Sequence, residues 1–502
     1  MIKSIEIKVL PDKINDLNHI EQIQNIVLKG INGEIKSRIL TRKSIDARKT
    51  QPVYVLRYDI YIDETYNEPI GPAGYFAALD CIESGLKPIV IERGKDVRER
   101  RRDLRSIQQD GIINPDSNYC FGEGGAGTYS DGKLYTRSHK RGKIEKVLRL
   151  LVEHGANSEI LSDAHPHIGS NKLPVIIANI RETIEKFGGE VHFNHKVTDL
   201  LVSGDLIEGV KCGEKEFRAN HVVLATGHSA RDIYHMLHEK GILIEPKPFA
   251  LGLRIEHSQS FIDKIQYRQS IREENLPASS YNVVTQVNDK GVFSFCMCPG
   301  GLVVPAATSP GEIVVNGMSL SRRDSAFANS GLVTSIELNE LNKHGYKGIF
   351  AALDFQTAVE KAMFAAGDGS QKAPAQRVAD FVNGVLSPEL NNSSYIPGLF
   401  SAPLHKILPG FVFKRLRQGL INIDKKMKGY ITNEANIIGV ESRTSSTIKI
   451  PRDETTLCHP QILCLYPTGE GAGYAGGIIS AAMDGQRVVK AIKLNQEQNL
   501  YD

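Results

Sequence analysis

The feature that most constrains this chain is a short glycine turn, Ile70-Gly71-Pro72-Ala73-Gly74, which opens a helix and is followed eighteen residues beyond Gly74 by Glu92 at the end of an apolar strand. A helix followed by a buried strand is half of a βαβ unit. In a dinucleotide fold such a turn lets backbone N–H groups at a helix N-terminus reach a pyrophosphate, while the acid accepts hydrogen bonds from a ribose. The residues before Gly71 break the pattern. Asp63-Glu-Thr-Tyr-Asn-Glu-Pro-Ile70 cannot make the buried first strand that the fold requires, and Pro69 stands where the first glycine belongs. Either a short segment carrying that strand and glycine is absent, or Val53–Ile62 is recruited in its place. Absence is favoured, because Val53–Ile62 is needed by the small module that precedes it.

Three further segments strengthen the assignment of a phosphate-and-ring cofactor. Phe121-Gly-Glu-Gly-Gly-Ala-Gly-Thr-Tyr-Ser-Asp-Gly-Lys-Leu134 holds five glycines between an apolar residue and a polar tail, which suits a backbone clasp on phosphate and a flat ring. His221-Val-Val-Leu-Ala-Thr-Gly227 is a strand ending in small residues. Leu465-Tyr-Pro-Thr-Gly-Glu-Gly-Ala-Gly-Tyr-Ala-Gly-Gly-Ile-Ile479 runs from strand through a glycine loop into a helix, whose N-terminal dipole favours an electron-rich partner.

Along the chain, residues 1–62 alternate as strand, helix and two strands (5–10, 14–28, 36–41 and Val53–Ile62), a small α+β module. Helices are expected at 73–84, 144–154 and 173–187. Short strands at 88–91, 191–193, 197–202, 207–210, 216–218 and 221–224 suggest a three-stranded meander and a return to a parallel sheet. From about 246 to 440 that rhythm is lost, which suggests an inserted domain. With 502 residues, two or three domains are expected. The boundaries expected are 1–66, 67–245, 246–440 and 441–502. The net charge of +3 gives no whole-protein case for nucleic acid, and the cluster Arg98, Arg100, Arg101, Arg102 and Arg105 reads as a solvated helix face. Seven scattered cysteines argue against a disulfide framework and for a reducing, cytoplasmic setting. The N-terminus lacks the apolar run of a signal peptide, and no stretch has the length to span a bilayer.

Taken together the chain resembles the FAD-dependent dehydrogenases of the broad glutathione-reductase and fumarate-reductase superfamily, and more closely a bacterial family of uncharacterised FAD-dependent proteins. The match is carried by Gly71-Pro-Ala-Gly74 with Glu92-Arg-Gly94, the 121–134 segment, His167-Ile-Gly-Ser-Asn-Lys-Leu173, Phe295-Cys-Met-Cys-Pro-Gly-Gly301, Val315-Asn-Gly-Met-Ser319, Ala373-Pro-Ala-Gln-Arg377 and the 469–478 segment. It implies an α/β fold: a Rossmann-like FAD-binding domain lacking its first strand, an inserted α+β substrate domain and the N-terminal module. It also implies FAD, with Gly71, Pro72, Ala73, Gly74, Glu92 and Arg93 on the ADP half. Gly124, Gly125, Gly127, Thr128, Ser130, Val197, Ala225, Thr226, Gly227, Gly469, Glu470, Gly473, Ala475, Gly476 and Gly477 complete the cofactor set.

The substrate is expected to be a small molecule, and these motifs set neither its identity nor the oligomeric state. No second glycine fingerprint opens a βαβ unit, so a nicotinamide reductant (NAD(P)H), if one serves, docks transiently. The catalytic candidates are His167 with nearby Lys172, the pair Cys296 and Cys298, Arg377 and His405; His165 is also a candidate proton carrier or anion ligand. Two cysteines spaced C-x-C on a strand share a face, which suits either a redox pair or plain packing. No metal is expected, since Cys458-His459 with Cys464 lacks a fourth ligand. Two rival functions remain open: a flavin-free remnant acting in binding or assembly, and a flavoenzyme acting on RNA through Lys36, Arg38, Arg42, Lys43, Arg48 and Lys49.

Overall fold

Apolar residues at every second position from Ile5 to Val9 give one buried face to the first strand, β1 (Ile2–Val9). In the computed structural model, which describes residues 2–27, 35–48, 51–62, 73–135 and 144–497, β1 joins β2 (Ile35–Asp46) and β3 (Val53–Ile62) in an antiparallel sheet ordered β1-β3-β2. Helix α1 (Leu17–Val27) lies in the same module. Because β3 is the central strand, paired on both edges, it cannot serve a second sheet. Ile7, Val9, Ile20, Tyr54 and Leu56 pack with Tyr267 and Leu276 from later in the chain, and the Tyr54 hydroxyl donates to the Asn275 carbonyl at 2.6 Å.

Next come α2 (Ala73–Glu83), β4 (Ile89–Ile91), α3 (Val97–Gln109), α4 (Ile144–Glu153), α5 (Leu173–Lys186) and β5 (Glu190–His192). Strands β4 and β5 pair in parallel. The meander forms from β6 (Asp199–Ser203), β7 (Leu206–Cys212) and β8 (Lys215–Arg218), followed by β9 (Val222–Leu224) and α6 (Arg231–Glu239). In this stretch the expected boundaries move by at most two residues, as helix and strand ends do when capping decides them.

A seven-stranded sheet follows, built from β11 (Phe249–Ser258), β12 (Val284–Val287), β13 (Lys290–Cys298), β16 (Phe327–Ile336), β17 (Ala373–Arg377), β18 (Leu399–Ser401) and β19 (Asn436–Glu441), in the order β12-β13-β16-β11-β19-β17-β18. Central β11 is buried over nine of its ten residues, so it carries Leu251, Leu253 and Ile255 inward together with Arg254, Glu256 and His257. Helices α7 (Gln259–Tyr267), α8 (Leu338–Lys343), α9 (Ala351–Ala365), α10 (Val378–Asn383), α11 (Leu404–Ile407) and α12 (Gly410–Lys426) contribute Ile262, Leu341, Phe355, Val378, Leu404 and Leu416 to the same core. Two small ladders complete this part, β10 (Glu245–Pro246) with β20 (Ile448–Lys449) and β14 (Gly301–Pro305) with β15 (Val315–Ser319).

The chain then returns to β9. Strand β21 (Leu465–Pro467) pairs with it in parallel and leads to the long helix α13 (Ile478–Glu497). Thus, apart from the parallel β17–β18 pair inside the seven-stranded sheet, the parallel strands among the described residues form two separate pairs, β4–β5 and β9–β21, and no described strand joins them. Residues 63–72, where the first strand and the opening glycine are expected, lie outside the described residues. No described helix is long and apolar enough to cross a membrane.

The basic run on α3 corrects one expectation. Arg98, Arg101, Arg102 and Arg105 are exposed, but Arg100 is 0% exposed. The helical period places residues 97, 100, 104 and 107 on one face, and that face is buried.

Candidate functional site

The described parts of the four glycine segments meet at one place. At the start of α2, a Cβ on Gly74 would stand 3.9 Å from the Ala225 Cβ, just past the end of β9. A Cβ on Gly469, just past the end of β21, would stand 4.0 Å from the Ala73 Cβ. On α13, a Cβ at Gly485 would fall 2.3 Å from the Ala73 carbonyl oxygen, so glycine there permits the close crossing of α2 and α13. A Cβ on Gly127 would lie 3.2 Å from Ile478 Cγ1 at the start of α13, which brings in the 121–134 segment.

The 121–134 segment is held by groups that sequence reasoning passed over. Arg100 donates from Nε to the Asn118 carbonyl (2.8 Å), from Nη1 to the Glu123 carbonyl (2.9 Å) and from Nη2 to the Gly125 carbonyl (2.9 Å). Gly122, at φ 116°, is a position where a side chain would strike that arginine, with its Cβ 2.4 Å from Arg100 Cδ. Glu123 itself accepts from the Val97 N–H (2.8 Å), the Tyr75 hydroxyl (3.2 Å) and Arg181 Nε (3.0 Å), tying α2, α3 and α5 to the loop. The signal available in the sequence was the 97/100/104/107 spacing, which puts an arginine among apolar residues.

Glu92 Oε1 accepts from the backbone N–H groups of Gly94 (2.9 Å) and Gly122 (3.0 Å), linking the end of β4 to the loop. Arg93 donates to Asp232 at 2.9 Å and lies over the Phe121 ring. Thr128 and Ser130 are turned inward to the carbonyls of Glu123 and Gly127, both at 2.8 Å. Val197 packs against the core around β9, and Thr226 is partly buried beyond it.

On the C-terminal loop, Asp484 accepts from the Gly469 N–H at 2.8 Å and forms a two-pronged pair with Arg452 at 2.6 and 3.0 Å. Glu470 lies 3.6 Å from His228 and accepts from the Gly477 N–H just ahead of α13; burial pushes its carboxyl up against that hydrogen bond. Gly473 and Ala475 donate back to the carbonyls of Glu470 and Gly469, closing the turn.

The catalytic candidates separate into two groups. Cys296 and Cys298 lie beside Lys133, with Nζ 3.8 and 3.4 Å from their sulfurs. His167 belongs to the same neighbourhood: it bridges to Lys133, and Nε2 meets the Ser321 carbonyl at 3.1 Å. Burial and the Arg323 charge push its imidazole down to about 4, so it is neutral near pH 7. Lys172 is exposed at the N-terminus of α5. By contrast Arg377 pairs with Asp380 at 2.7 Å, and His405 with Gln376 at 3.1 Å, around the end of β17. Arg377 sits opposite Asn436, at the other end of β19 from Glu441, which belongs to the Cys298 neighbourhood through Arg254. Exposed His165 stacks edge-on against Tyr135. Gly71 and Pro72 lie outside the described residues.

FAD needs close backbone approach for its pyrophosphate and a flat opening for its ring system. The residues present fit that demand. Gly125, Gly227, Gly476 and Gly477 come from three segments, and none has an atom within 4 Å of where its Cβ would stand, so at each of these loops the backbone borders open space.

Residues 248–444 match a family described as FAD-dependent protein, C-terminal domain-like, and residues 1–61 match a domain of unknown function. An uncharacterized protein of Clostridium beijerinckii is 42% identical over 428 residues, 84% of this chain and 79% of that protein. The chain belongs to the family of that clostridial protein. Among solved structures it is similar to a geranylgeranyl bacteriochlorophyll reductase-like protein from Thermoplasma acidophilum, at 14% identity over 86% of this chain and 78% of that chain, with a TM-score of 0.34. It is also similar to CtdE in complex with FAD and a substrate, at 11% identity over 86% and 83% of the two chains, with a TM-score of 0.33. At such scores the likeness carries no functional argument.

Proposed function

We propose that this member of the clostridial protein's family is an FAD-dependent oxidoreductase of the broad glutathione-reductase and fumarate-reductase type, a dehydrogenase acting on a small molecule. The observation that carries this is the meeting of the described parts of four glycine segments at the N-termini of α2 and α13, beside a domain that matches an FAD-dependent family. When bound, the flavin supplies hydride or two-electron transfer. The chain's own residues bind and orient. The start of α2 with Ala73 and Gly74 offers N–H groups to the pyrophosphate, Glu92 stands at the ribose, and the 124–130 and 469–477 loops flank the ring. In this division residues 67–245 and 441–502 hold the cofactor and 246–440 form the substrate side. A nicotinamide reductant would dock transiently.

The absorbance spectrum of purified protein, before and after reconstitution with FAD, tests the proposal. A flavin spectrum is expected, with FAD as the nucleotide released on denaturation. Release of FMN as the main species refutes the ribose role of Glu92, and protein that stays colourless refutes the cofactor. A second function has one observation in its favour: β4–β5 and β9–β21 are not joined among the described residues. A chain that holds no flavin would act in binding or assembly, and colourless reconstituted protein is its signature.

A further inference from the structure

The segment Cys296-Met297-Cys298 ends β13 in an unusual way. The pairing of β13 with β16 shifts register between Phe295 and Cys298, and Cys296 adopts φ 45°, the left-handed region that a cysteine rarely occupies. The break folds the Cys298 side chain back so that its thiol donates to the Cys296 carbonyl at 3.3 Å. It also turns both sulfurs toward cations. Lys133 Nζ lies 3.4 Å from Cys298 Sγ and 3.8 Å from Cys296 Sγ, and Arg254 Nη2 lies 3.7 Å from Cys298 Sγ while donating to the Cys296 carbonyl at 2.8 Å.

Cys296 differs from two other cysteines of the chain, Cys81 and Cys464. Burial pushes Cys81 up to about 12 and Cys464 up to about 11, the behaviour of inert packing residues. At the C-x-C pair, the hydrogen bond from Cys298 together with Lys133 and Arg254 holds Cys296 well below the usual thiol range. Cys298, the donor of that bond and fully buried, is pushed well up. The surrounding carboxylates are occupied: Asp131 pairs with Lys133 at 2.9 Å and Arg323 at 2.7 Å, and Glu441 pairs with Arg254 at 2.7 Å. Cys296 is partly exposed, whereas Cys298 is not. Position matters as much as chemistry. Lys133 extends from the 121–134 glycine segment, and Glu470, on the other glycine loop, feels the charge of Cys296.

We propose that Cys296 and Cys298 form a dithiol–disulfide redox pair that exchanges two electrons with the flavin, with Lys133 stabilising the thiolate; this rests on the flavin-binding function proposed above. In the oxidative direction one S–S bond forms between the Cys296 thiolate and Cys298, whose thiol gives up the one remaining proton, and the two electrons with that proton are passed to oxidised FAD, leaving it reduced and anionic. The reverse step breaks the S–S bond with two electrons and one proton from reduced FAD, restoring the thiolate and the thiol.

Two measurements on the full-length protein test the pair. In the first, protein poised in dithiothreitol redox buffers is alkylated and the 296–298 peptide is weighed, and iodoacetamide labelling is followed against pH. A Cys296–Cys298 disulfide is expected to appear as a two-electron couple, and Cys296 labelling at pH 6.5 is expected to fall by about tenfold in Lys133→Met. In the second, FAD-loaded protein is titrated anaerobically with dithionite. Wild type is expected to take about four reducing equivalents per flavin, and Cys296→Ser or Cys298→Ser about two. Absence of the disulfide at every poise overturns the pair, as does unchanged labelling in Lys133→Met or a wild-type uptake of about two. Wild-type protein alone settles the first and last of these, whatever the folding of the variants. A chain that forms the disulfide but releases no flavin overturns the cofactor and the electron exchange with it, an outcome distinct from flavin-loaded protein without a thiol couple.

Discussion

Arg100→Met is expected to loosen the 121–134 loop enough to be felt in both stability and flavin retention. The native guanidinium is fully buried and spends three donors on the carbonyls of Asn118, Glu123 and Gly125, at 2.8, 2.9 and 2.9 Å. A hydrogen bond from a charged donor contributes about 1.5–3 kcal/mol, so three would total about 4.5–9 kcal/mol if each stood alone. Against this, burial of the guanidinium costs several kcal/mol, and methionine removes that cost. Burial indeed pulls Arg100 below its ordinary value, with Glu92 the leading charge that opposes the pull. The remainder, about 3–5 kcal/mol, is the expected loss. If about 4 kcal/mol of it appeared wholly in binding, FAD affinity would weaken by about a thousandfold. Division between folding and binding is expected, because the loop contributes to both. Urea unfolding followed by circular dichroism, together with a fluorescence titration of FAD, measures the two parts. Arg100→Lys should fall between, since one ammonium cannot serve three carbonyls in a plane. If Arg100→Met matches wild type within about 0.5 kcal/mol in both assays, the clamp is not what shapes the loop.

Glu92→Ala should weaken FAD retention by about 1–3 kcal/mol, because it removes the ribose acceptor and also frees the Gly94 and Gly122 N–H groups; an unchanged dissociation constant counts against both roles. His257 is buried and His228 partly buried, and desolvation pushes both down to about 4. Each therefore adds stability that is fully present above its unfolded value near 6.5 and is lost as the pH falls from there toward 4, about 2 kcal/mol per histidine between pH 7 and 5. Urea unfolding across that range reads the slope, and His257→Leu should flatten it by about one proton's worth; a flat wild-type profile refutes the assignment. Inserting a Val/Ile-rich strand ending in Gly-Ala ahead of Gly71, in place of Ile70, should raise both melting temperature and flavin occupancy by supplying a partner between the two parallel pairs. Equal values in the two proteins would refute the missing-strand account.

Local pattern was enough to reveal much of this chain. Alternation marked β1, the apolar run before Glu92 marked β4, and the meander of β6 to β8 followed from short strands between turns, because each of these signals lies within a few residues of sequence. Glycine spacing likewise singled out the loops that meet, since a backbone that must come close to another chain segment excludes side chains wherever it does so. Val53–Ile62 was assignable to the N-terminal module for the same local reason. The seven-stranded sheet was not legible, because its neighbours lie far apart in sequence: β11 pairs with β16 and β19, and nothing in any one strand names its partner. The 97/100/104/107 spacing set Arg100 apart from the four exposed arginines around it, but sequence alone could not show the carbonyls it meets, nor what stands beside Cys296 and Cys298. Those features depend on what stands opposite in space. A guanidinium becomes a clamp only when three carbonyls converge on it, and a thiol becomes a thiolate only when Lys133, from a loop 163 residues away, is brought to its side.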